Sequence, residues 1–486
     1  MASIGGQPAI PARARAAGAR LWVQAIDWMQ TRWGRAALLL VFAGFLIQAW
    51  ERPQPAIVAV LAAAACAYLP GRRPQLLAAA GLLMLVFQLD WYRPEVLLPV
   101  LRAEGFEVEA LPAFSVAALM AFFAATTALL YWASRHPASV IVRRPLLSLL
   151  SLVAVVTGLA ASPLLHGASR VALWSALLVL CAYLWFLAYA LADQRSRDRS
   201  PLLFQLGCLH PFWGSSTTPI GKGAAYLRKT HARDPVRLAE TQLRGLKLLV
   251  WACVLSGLSG LLDLVATEGL GLTAAEALLH RHAEGLPVGR MAGWAALIWA
   301  TAHAALALAV WGHQIVAVAR LAGFALARNS YRPLESTTLA EFWNRYYFYF
   351  KELLVELFFL PTFLRTAHWA PRWRLFFATF MAAGVGNALF HFLKDIGEVA
   401  RVGLWPALQG FQSYLFYCLM LSLGIGISQA RQAGGARSSS RLGRRLAACA
   451  GVWFIVVCLH IFGNESRAHS LGERLAFMFH LFALPL

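Results

Sequence analysis

Five ionisable side chains lie in the apolar stretch EFWNRYYFYFKELLVELFFLP, residues 341–361. Ionisable groups at membrane depth are costly and usually face a cavity or one another. Glu341 and Arg345 are four residues apart and share one face of a helix, and the spacing of Glu352 and Glu356 is the same. We expect these charges to be paired inside the protein, where they position a reactive helix whose aromatic residues face lipid. The alternative is a helix lying flat at the interface, with the charges in water.

His391 is the strongest candidate for acid–base chemistry. It lies near the end of the apolar segment RLFFATFMAAGVGNALFHF, with Asn387 one helical turn before it and Lys394 just after it. A positioned His that takes a proton typically contributes ~10²–10⁴-fold to a rate, or about 3–5 kcal/mol. The competing interpretation is packing, which is the commoner role of a single His in such a segment. Four other histidines in apolar sequence are expected to pack or to carry no functional signal: His303, His313, His460 and His480.

Asn344 and Tyr347 are candidate hydrogen-bond donors to a developing oxyanion. They are three residues apart, so on one helix both side chains can point at the same cavity. Donors of this kind stabilise the negative oxygen that forms when a hydroxyl attacks a carbonyl. For Tyr347 the alternative is an aromatic residue at the membrane interface, since Trp343 and Tyr346 are its neighbours.

A membrane-embedded helical scaffold must position these groups. The chain has 486 residues, 59% of them hydrophobic and 14% charged, whereas soluble proteins carry about 25% charged residues. The sequence therefore predicts an all-α, polytopic integral membrane protein with roughly eleven to thirteen helical elements. The predicted spans cover about 35–50, 55–70, 75–90, 113–134, 145–162, 171–193, 245–265, 291–327, 374–393, 404–430, 446–462 and 471–486.

The net charge of +20 follows membrane topology rather than nucleic-acid binding. Lys and Arg are concentrated in alternate loops: 71–74, 135–145, 193–247 and 431–445. This positive-inside pattern predicts a cytoplasmic N terminus and places the acidic loop 91–112 outside. Residues 1–33 are expected to form a basic amphipathic segment on the cytoplasmic interface, with no cleavable signal before the first span.

Cysteine usage indicates neither a disulfide framework nor a metal centre. The seven cysteines form no CxxC pair and nearly all lie in apolar blocks. We expect them to be small buried hydrophobic residues, and we expect no metal site.

The order of several motifs resembles the membrane-bound O-acyltransferase (MBOAT) family, in its bacterial polysaccharide and alginate O-acetyltransferase branch. The Phe-Trp pair at 342–343 and Arg345 match the family's FWRRWH element. Glu356 falls at its acidic position, and Leu-Pro at 360–361 closes the run. The next family element is a Trp-His-Gly at the end of an apolar segment, and here His391 stands between two Phe residues, 47 residues after Asn344.

The resemblance extends over residues 205–486, in family order. LHPFWGSSTTPIGKGAAYLRK (209–229) and LRGLKLLVW (243–251) are similar to the family's FP…GPI.R loop and the helix after it. GVWFIVVCLHIFGNES (451–466) is similar to its closing span. The chain departs from the pattern where Tyr347 replaces a second His.

The sequence divides into three predicted regions. Charge and hydropathy predict a cytoplasmic amphipathic segment (1–33) and N-terminal transmembrane helices (34–204), and the resemblance implies an MBOAT-like catalytic core (205–486). The resemblance also implies transfer of an acyl group, expected to be acetyl, from a cytoplasmic thioester to a hydroxyl of an exported glycan. The catalytic residues would be His391 and Asn344. The residues that contact substrate would be Trp343, Arg345, Tyr347 and Asn387. The residues that hold the site in place would be Glu341, Glu352 and Glu356.

The same resemblance implies an acyl-CoA or acyl-carrier thioester as co-substrate and no bound cofactor. Lys222, Arg228 and Lys229 follow the GSSTTPIG turn and would meet the phosphates of the donor. A positive-inside role alone explains these three residues equally well. The expected partners are the acyl donor, a glycan or lipid hydroxyl, membrane lipids and a periplasmic protein, and the expected setting is a bacterial inner membrane.

Two alternatives to this function stay open. Within the same class, the acceptor is a lipid or a secondary-metabolite hydroxyl. In a different class, the chain is a polytopic transporter or flippase without catalysis. Many transporters contain internal repeats, and this sequence shows one motif-bearing segment without a repeat. A non-catalytic scaffold is a third possibility, given the Tyr in place of the second family His.

Overall fold

A computed structural model of the chain describes residues 12–50, 52–87, 92–214, 218–433, 442–463 and 467–484. Across these ranges the regular structure is helical, and the one pairing of extended backbone is an isolated bridge between His231 and Phe324. The all-α prediction is confirmed. Helices satisfy every backbone polar group within the segment, which lipid requires.

Some predicted features lie outside the described residues. They are the beginning of the amphipathic segment (1–11), part of the GSSTTPIG turn (215–217), most of the loop at 431–445 (434–441) and the end of the closing motif (464–466).

The helices of the first half begin with a basic helix and continue through paired apolar ones. They are α1 (Ala12–Met29), α2 (Arg32–Trp50), α3 (Pro53–Tyr68), α4 (Arg73–Phe87), α5 (Leu98–Ala103), α6 (Leu111–Arg135), α7 (Val140–Arg143), α8 (Pro145–Ala161), α9 (Gly167–Asp193), α10 (Leu202–Leu209), α11 (Gly223–Thr230) and α12 (Pro235–Leu264).

The second half contains the motif-bearing elements. Its helices are α13 (Ala275–Ala283), α14 (Arg290–Leu321), α15 (Leu339–Tyr346), α16 (Phe348–Leu354), α17 (Leu360–Arg365), α18 (Pro371–Thr379), α19 (Asn387–Lys394), α20 (Gly397–Val402), α21 (Leu404–Gly410), α22 (Gln412–Ala433), α23 (Leu442–His460) and α24 (Leu471–Leu481). Three segments are π-helical: 265–269, 355–359 and 380–386.

Within the described residues, eight helical segments are long and apolar enough to cross a membrane, which supports a multi-pass membrane protein. They contain α2, α6, α9, α12, α14, α18 with α19, α22 and α23. Helices α3 and α4, of 16 and 15 residues, are each shorter than the eight segments and are long enough only when taken together. The chain bends by 113° between them, so the predicted spans at 55–70 and 75–90 correspond to one bent helix pair.

Two other predicted spans are wrong in length. The span expected at 404–430 is broken at Phe411 into α21 and α22, and the span expected at 471–486 contains an 11-residue helix, α24. At 1.5 Å per residue α24 is about 16 Å long, roughly half the thickness of a bilayer core. Apolar composition alone does not distinguish a crossing helix from one that packs against its neighbours.

Helix α9 is at the centre of the larger core cluster. In its most apolar window 78% of the residues are buried, because α6, α8 and α19 cover it on several sides. Trp174 and Tyr183 are among its fully buried side chains. A helix that is apolar on every side is stable in such a position, and it gives the motif helices a rigid wall to pack against.

The charged stretch is not one continuous helix. Helix α15 ends at Tyr346, Tyr347 is extended with φ −140° and ψ 82°, and α16 begins at Phe348. Thr338 caps the start of α15 by accepting a hydrogen bond from the Glu341 N–H. Because Tyr347 belongs to neither helix, the helical repeat of α15 or α16 does not set the direction of its side chain.

The segment 329–331 holds this break open. Three hydrogen bonds join it to the two sides of the break: the Tyr331 N–H donates to the Arg345 carbonyl (2.8 Å), the Phe348 N–H donates to the Asn329 carbonyl (2.8 Å), and the Ser330 hydroxyl donates to the Tyr346 carbonyl (2.7 Å). These bonds replace those that a continuous helix would make across Tyr347.

The segment from α18 to α19 crosses the core with a π-helical stretch at 380–386. A Cβ atom at Gly386 would lie 2.8 Å from the Phe358 ring, so only a glycine allows these two segments to approach so closely. A π-helical turn holds one residue more than an α-helical turn. It therefore sets the direction in which the side chains of α19 point.

Candidate active site

A cavity of about 270 Å³ lies between α15, α16, α19, α22 and α23, with α14 on one side. Aromatic and neutral polar side chains form most of its walls, together with one Lys and two His residues. The polar and aromatic residues that line it are Thr218, Thr301, Phe342, Trp343, Tyr346, Tyr347, Phe350, Asn387, Phe390, His391, Lys394, Tyr414, Tyr417 and His460. The fold thus gathers the two motif segments, 342–350 and 387–394, around one cavity.

His391 is half-buried on the α19 wall of this cavity. Its ring centroid lies 4.5 Å from that of Tyr414 and 5.8 Å from that of Phe350. These rings fix the orientation of the imidazole while it remains in contact with the cavity. His391 is therefore placed where a proton acceptor would reach a bound hydroxyl.

Asn387 lies one turn before His391 on the same wall and is 1% exposed. Its side-chain oxygen has no hydrogen-bond partner within the described part of the chain. Leaving a buried acceptor unpaired costs about 1–3 kcal/mol, and proteins rarely accept that cost without a functional reason. The geometry suits an amide that hydrogen-bonds to a molecule in the cavity.

Tyr347 lines the cavity from the break between α15 and α16. Its hydroxyl donates to the Thr218 hydroxyl oxygen at 3.0 Å, and its ring meets Trp311 edge to face. Thr218 belongs to the GSSTTPIG turn, so this contact joins the cytoplasmic loop of the sequence prediction to the cavity. Trp343 also lines the cavity, from the last turn of α15.

Asn344 does not line the cavity. Its side chain is exposed on α15, and the predicted juxtaposition of Asn344 with Tyr347 is wrong. That prediction assumed one helix through both residues, whereas the backbone breaks at Tyr347. Asn387, which is predicted to contact substrate, is the asparagine that lines the cavity.

Arg345 and Glu341 form an ion pair on the outer side of α15. Glu335 adds a weaker contact to Arg345 at 3.6 Å. Glu341 also accepts hydrogen bonds from the N–H and hydroxyl of Thr337, which fixes the entrance to α15. Arg345 is not among the residues that line the cavity, so its contacts are those of a positioning residue.

The remaining charges of the stretch form a buried cluster with a residue 130 positions earlier. Lys222 donates to Glu352 at 2.7 Å and also pairs with Glu356, while Lys351 pairs with Glu352. We call these four residues the ion cluster. The α16 helix and the π-helical turn after it present both carboxylates to the loop before α11. Two lysines and two glutamates leave the cluster without net charge.

Electrostatics within the ion cluster favour the charged forms. Burial alone would raise the pKa of Glu352, but hydrogen bonds from Lys222 and Lys351 outweigh it and lower that pKa below its usual 4.5. Burial would lower the pKa of Lys222, but hydrogen bonds to Glu352 and Glu356 outweigh it and raise that pKa above 10.5. Glu352 and Lys222 therefore stabilise each other in their charged forms.

The predicted donor-binding trio is not brought together. Lys222 is neutralised by two carboxylates, Arg228 pairs with Asp198 at 2.6 Å, and Lys229 is exposed. Because two glutamates already neutralise Lys222, its charge contributes little to binding the phosphate of an acyl donor. The spacing of these residues in the sequence gave no information on where their charges are compensated.

The aromatic residues of the charged stretch do not face lipid, contrary to expectation. Phe342, Tyr349 and Phe350 are 5%, 1% and 6% exposed. Tyr349 donates to the Ala327 carbonyl at 3.1 Å, and Phe350 packs edge to face on Phe390. The stretch is enclosed on both sides, because charges and aromatic rings both contact protein.

Sequence reasoning missed several residues of the cavity, of which His460 and Tyr417 are two. His460 ends α23 and lines the wall opposite α19, and Tyr417 lines it from α22. Neither has a local signal, since each lies in ordinary apolar sequence. His303 lies outside the cavity, where its ring contacts Asp263 at 2.9 Å, and His313 is buried with its ring nitrogen 2.6 Å from the Ala309 carbonyl.

A scan against protein-family models and a search of curated proteins found no match to this chain. The structure also shows no group of three or more His, Cys, Asp or Glu residues arranged to hold a metal ion among the residues it describes.

Proposed function

We propose that the protein is a membrane O-acyltransferase of the MBOAT type. The observation that carries the proposal is the cavity itself, which brings His391 and Asn387 against Trp343 and Tyr347 from a separate motif. The motifs that resemble the family are distant in sequence and adjacent in space. The proposed reaction moves an acetyl group from a cytoplasmic thioester to a hydroxyl of an exported glycan.

In the proposed reaction, the acceptor hydroxyl oxygen attacks the thioester carbonyl carbon while His391 takes the hydroxyl proton. The carbonyl oxygen becomes an oxyanion, and hydrogen bonds from Tyr347 or the Asn387 amide stabilise it. When the tetrahedral intermediate collapses, the carbon–sulfur bond breaks and the thiolate receives the proton that His391 holds. The acyl group ends on the acceptor oxygen, and no net charge is created.

Access to both substrates follows from the predicted topology. Lys394 and His460 lie at the ends of α19 and α23, which the positive-inside pattern places away from the cytoplasm. The acceptor would approach there. Thr218 and Tyr347 lie toward the loop that the same pattern places in the cytoplasm, and the donor would enter from that side.

The deciding experiment measures transfer from radiolabelled acetyl-CoA in membranes that carry wild-type protein or His391→Ala. We expect a loss of at least ~10²-fold with unchanged expression and elution in detergent, because the base is lost and little packing is removed. His460→Ala is the control within the same cavity and His303→Ala the control outside it, and both should lose much less. A normally folded His391→Ala protein with near-full transfer would contradict the proposal and favour a transporter or scaffold.

A further inference from the structure

A second concavity, of about 430 Å³, lies where α1, α12 and the end of α14 meet. It shares no lining residue with the cavity around His391. Four of its five lining residues are cationic: Arg244, Lys247, Arg320 and Arg328, and the fifth is Trp22. We call it the basic concavity.

The packing of α12 on α14 forces these charges together. A Cβ atom at Gly245 would lie 3.0 Å from the Cβ of Arg320, so the two helices touch at this glycine. The Arg320 guanidinium donates to the Arg244 carbonyl at 3.2 Å and to the Leu326 carbonyl at 2.6 Å. Backbone oxygens orient Arg320 but leave its positive charge uncompensated.

Carboxylates do little to balance the basic concavity. Within the described residues, Glu240 pairs with Arg244, and no ion pair joins an acidic residue to Lys247, Arg320 or Arg328. Arg328 lies against the Tyr331 ring at 5.5 Å instead, and Lys247 is exposed. Four positive charges against one negative charge repel one another, and an anion between them removes that cost.

The donors also suit a particular anion. Guanidinium groups bind phosphate through two parallel hydrogen bonds, and an ammonium adds a point charge. Trp22 belongs to the basic amphipathic helix α1, and a Trp of this kind typically lies at the level of lipid headgroups. Basic pockets between membrane helices on the cytoplasmic side are typical binding places for phosphate headgroups.

We propose that the basic concavity is a phosphate-binding site at the membrane surface. Its ligand is the phosphate of an anionic lipid headgroup or of a soluble phosphate compound such as coenzyme A. The proposal does not depend on acyl transfer, because it concerns binding at residues apart from the cavity. It replaces Lys222, Arg228 and Lys229 as the place where the chain meets a phosphate.

The basic concavity is also connected to the cavity around His391 through the backbone next to Arg328. Arg328 immediately precedes the segment 329–331, which holds the break at Tyr347 open. The Tyr349 hydroxyl bonds to the Ala327 carbonyl on the other side of Arg328. A phosphate bound at Arg328 restrains this segment and, through it, the position of Tyr347.

The test is calorimetric titration of the full chain in detergent with three probes. These are dioctanoyl phosphatidylglycerol, dioctanoyl phosphatidylcholine and coenzyme A. The variants are Lys247→Gln, Arg328→Gln and the double variant, with Arg233→Gln as the control because Arg233 is an exposed basic residue that does not line the concavity. We expect each lining substitution to weaken binding of the phosphate probe about fivefold and the double variant about 25-fold, from roughly 1 kcal/mol per charge.

Each outcome decides the proposal. Phosphatidylglycerol that binds more tightly than phosphatidylcholine, with a preference that the double variant loses and Arg233→Gln keeps, identifies a lipid headgroup site. Binding of coenzyme A with the same dependence on the variants identifies a soluble phosphate ligand at the same residues. Wild-type affinity of the double variant for both anionic probes, or no binding of either probe to the wild type, overturns the proposal.

Discussion

The two sides of the stretch from α15 to the π-helical turn at 355–359 differ in how completely their polar groups are paired. On one side, the ion cluster matches every charge with an opposite one at short distance. On the other, the cavity wall keeps Asn387 buried with an unpaired oxygen and turns Tyr347 out of the helix. Completed pairing stabilises a fold, whereas incomplete pairing leaves groups available for a ligand.

This contrast predicts that the charges of the stretch contribute to stability and that the neutral polar groups of the cavity contact a ligand. In the sequence, the charges are the unusual feature of this stretch, because they lie among aromatic residues. The structure shows that the pairs Glu341–Arg345 and Lys351–Glu352 neutralise part of this charge within the stretch. Lys222, outside the stretch, contacts both Glu352 and Glu356. Substitutions on the two sides should therefore change different measurable quantities.

The largest expected effect is the loss of stability on substitution of Lys222. Lys222→Met leaves Glu352 and Glu356 close together without their shared cation, and breaking a fully buried pair costs about 3–5 kcal/mol. The side chains here are 14–32% exposed, so we expect about 2–3 kcal/mol, measured by equilibrium unfolding in mixed micelles. Lys229→Met, at an exposed lysine of the same helix region, should change little.

A double variant tests whether the loss comes from uncompensated charge. Lys222→Met combined with Glu356→Gln removes one positive and one negative charge and leaves Lys351 paired with Glu352, so it should recover most of the lost stability. If the double variant is no more stable than Lys222→Met alone, ion pairing by Lys222 is not what holds α16 in place.

Asn387→Leu should have the opposite pattern. Leu has the same branched skeleton of four heavy atoms, and the substitution removes a buried oxygen that has no partner among the described residues, so stability should stay the same or rise. Transfer of the acyl group should fall about tenfold, the equivalent of one lost hydrogen bond of ~1.4 kcal/mol to a bound molecule. Parallel unfolding and transfer assays check both. A large fall in stability without a change in transfer would place Asn387 among the structural residues.

The Tyr347–Thr218 hydrogen bond predicts a smaller effect that is shared by two residues. Tyr347→Phe and Thr218→Val should each destabilise the protein by about 0.5–1.5 kcal/mol, and the double variant should add little further. A double-mutant cycle in unfolding free energy measures this coupling. Strictly additive losses would mean that the two side chains act independently.

The smallest expected effect is on how the free energy of unfolding depends on pH in the acidic range. The pKa of Glu352 is lower in the folded protein than its usual 4.5, so its contribution is fully present above that pH and is lost as pH falls through the folded pKa. The stability difference between wild type and Glu352→Gln should therefore shrink as the pH of the unfolding experiment is lowered below about 4.5. A difference that stays constant down to pH 3 would exclude this linkage.

The sequence predicts the helices of this fold better than their breaks. Long apolar blocks predict α9, α14 and α23, because lipid leaves the backbone no other choice. The break at Tyr347 depends on hydrogen bonds from 329–331, a segment that precedes it by some 16 residues. A local pattern contains no information on such a partner, and this is why Asn344 was placed on the cavity in error.

The cavity shows the same limit. The order of the motifs predicts six residues at one site: His391, Asn344, Trp343, Arg345, Tyr347 and Asn387. His391, Trp343, Tyr347 and Asn387 line the cavity, whereas Asn344 and Arg345 do not. His460 was missed because its role in the lining depends on where α23 ends relative to α19. The pairing of Lys222 was missed because it joins residues 130 positions apart.

The π-helical segment at 380–386 gives this part of the chain one residue in reserve, because a π-helical turn holds one residue more than an α-helical turn. Deleting one residue inside it, for example Ala382, lets the segment close into ordinary α-helix without turning α19, so His391 still faces the cavity. A second deletion has no such reserve. Each residue of an α-helix turns the chain by 100°, so that second deletion rotates α19 by about this angle and carries His391 away from the cavity.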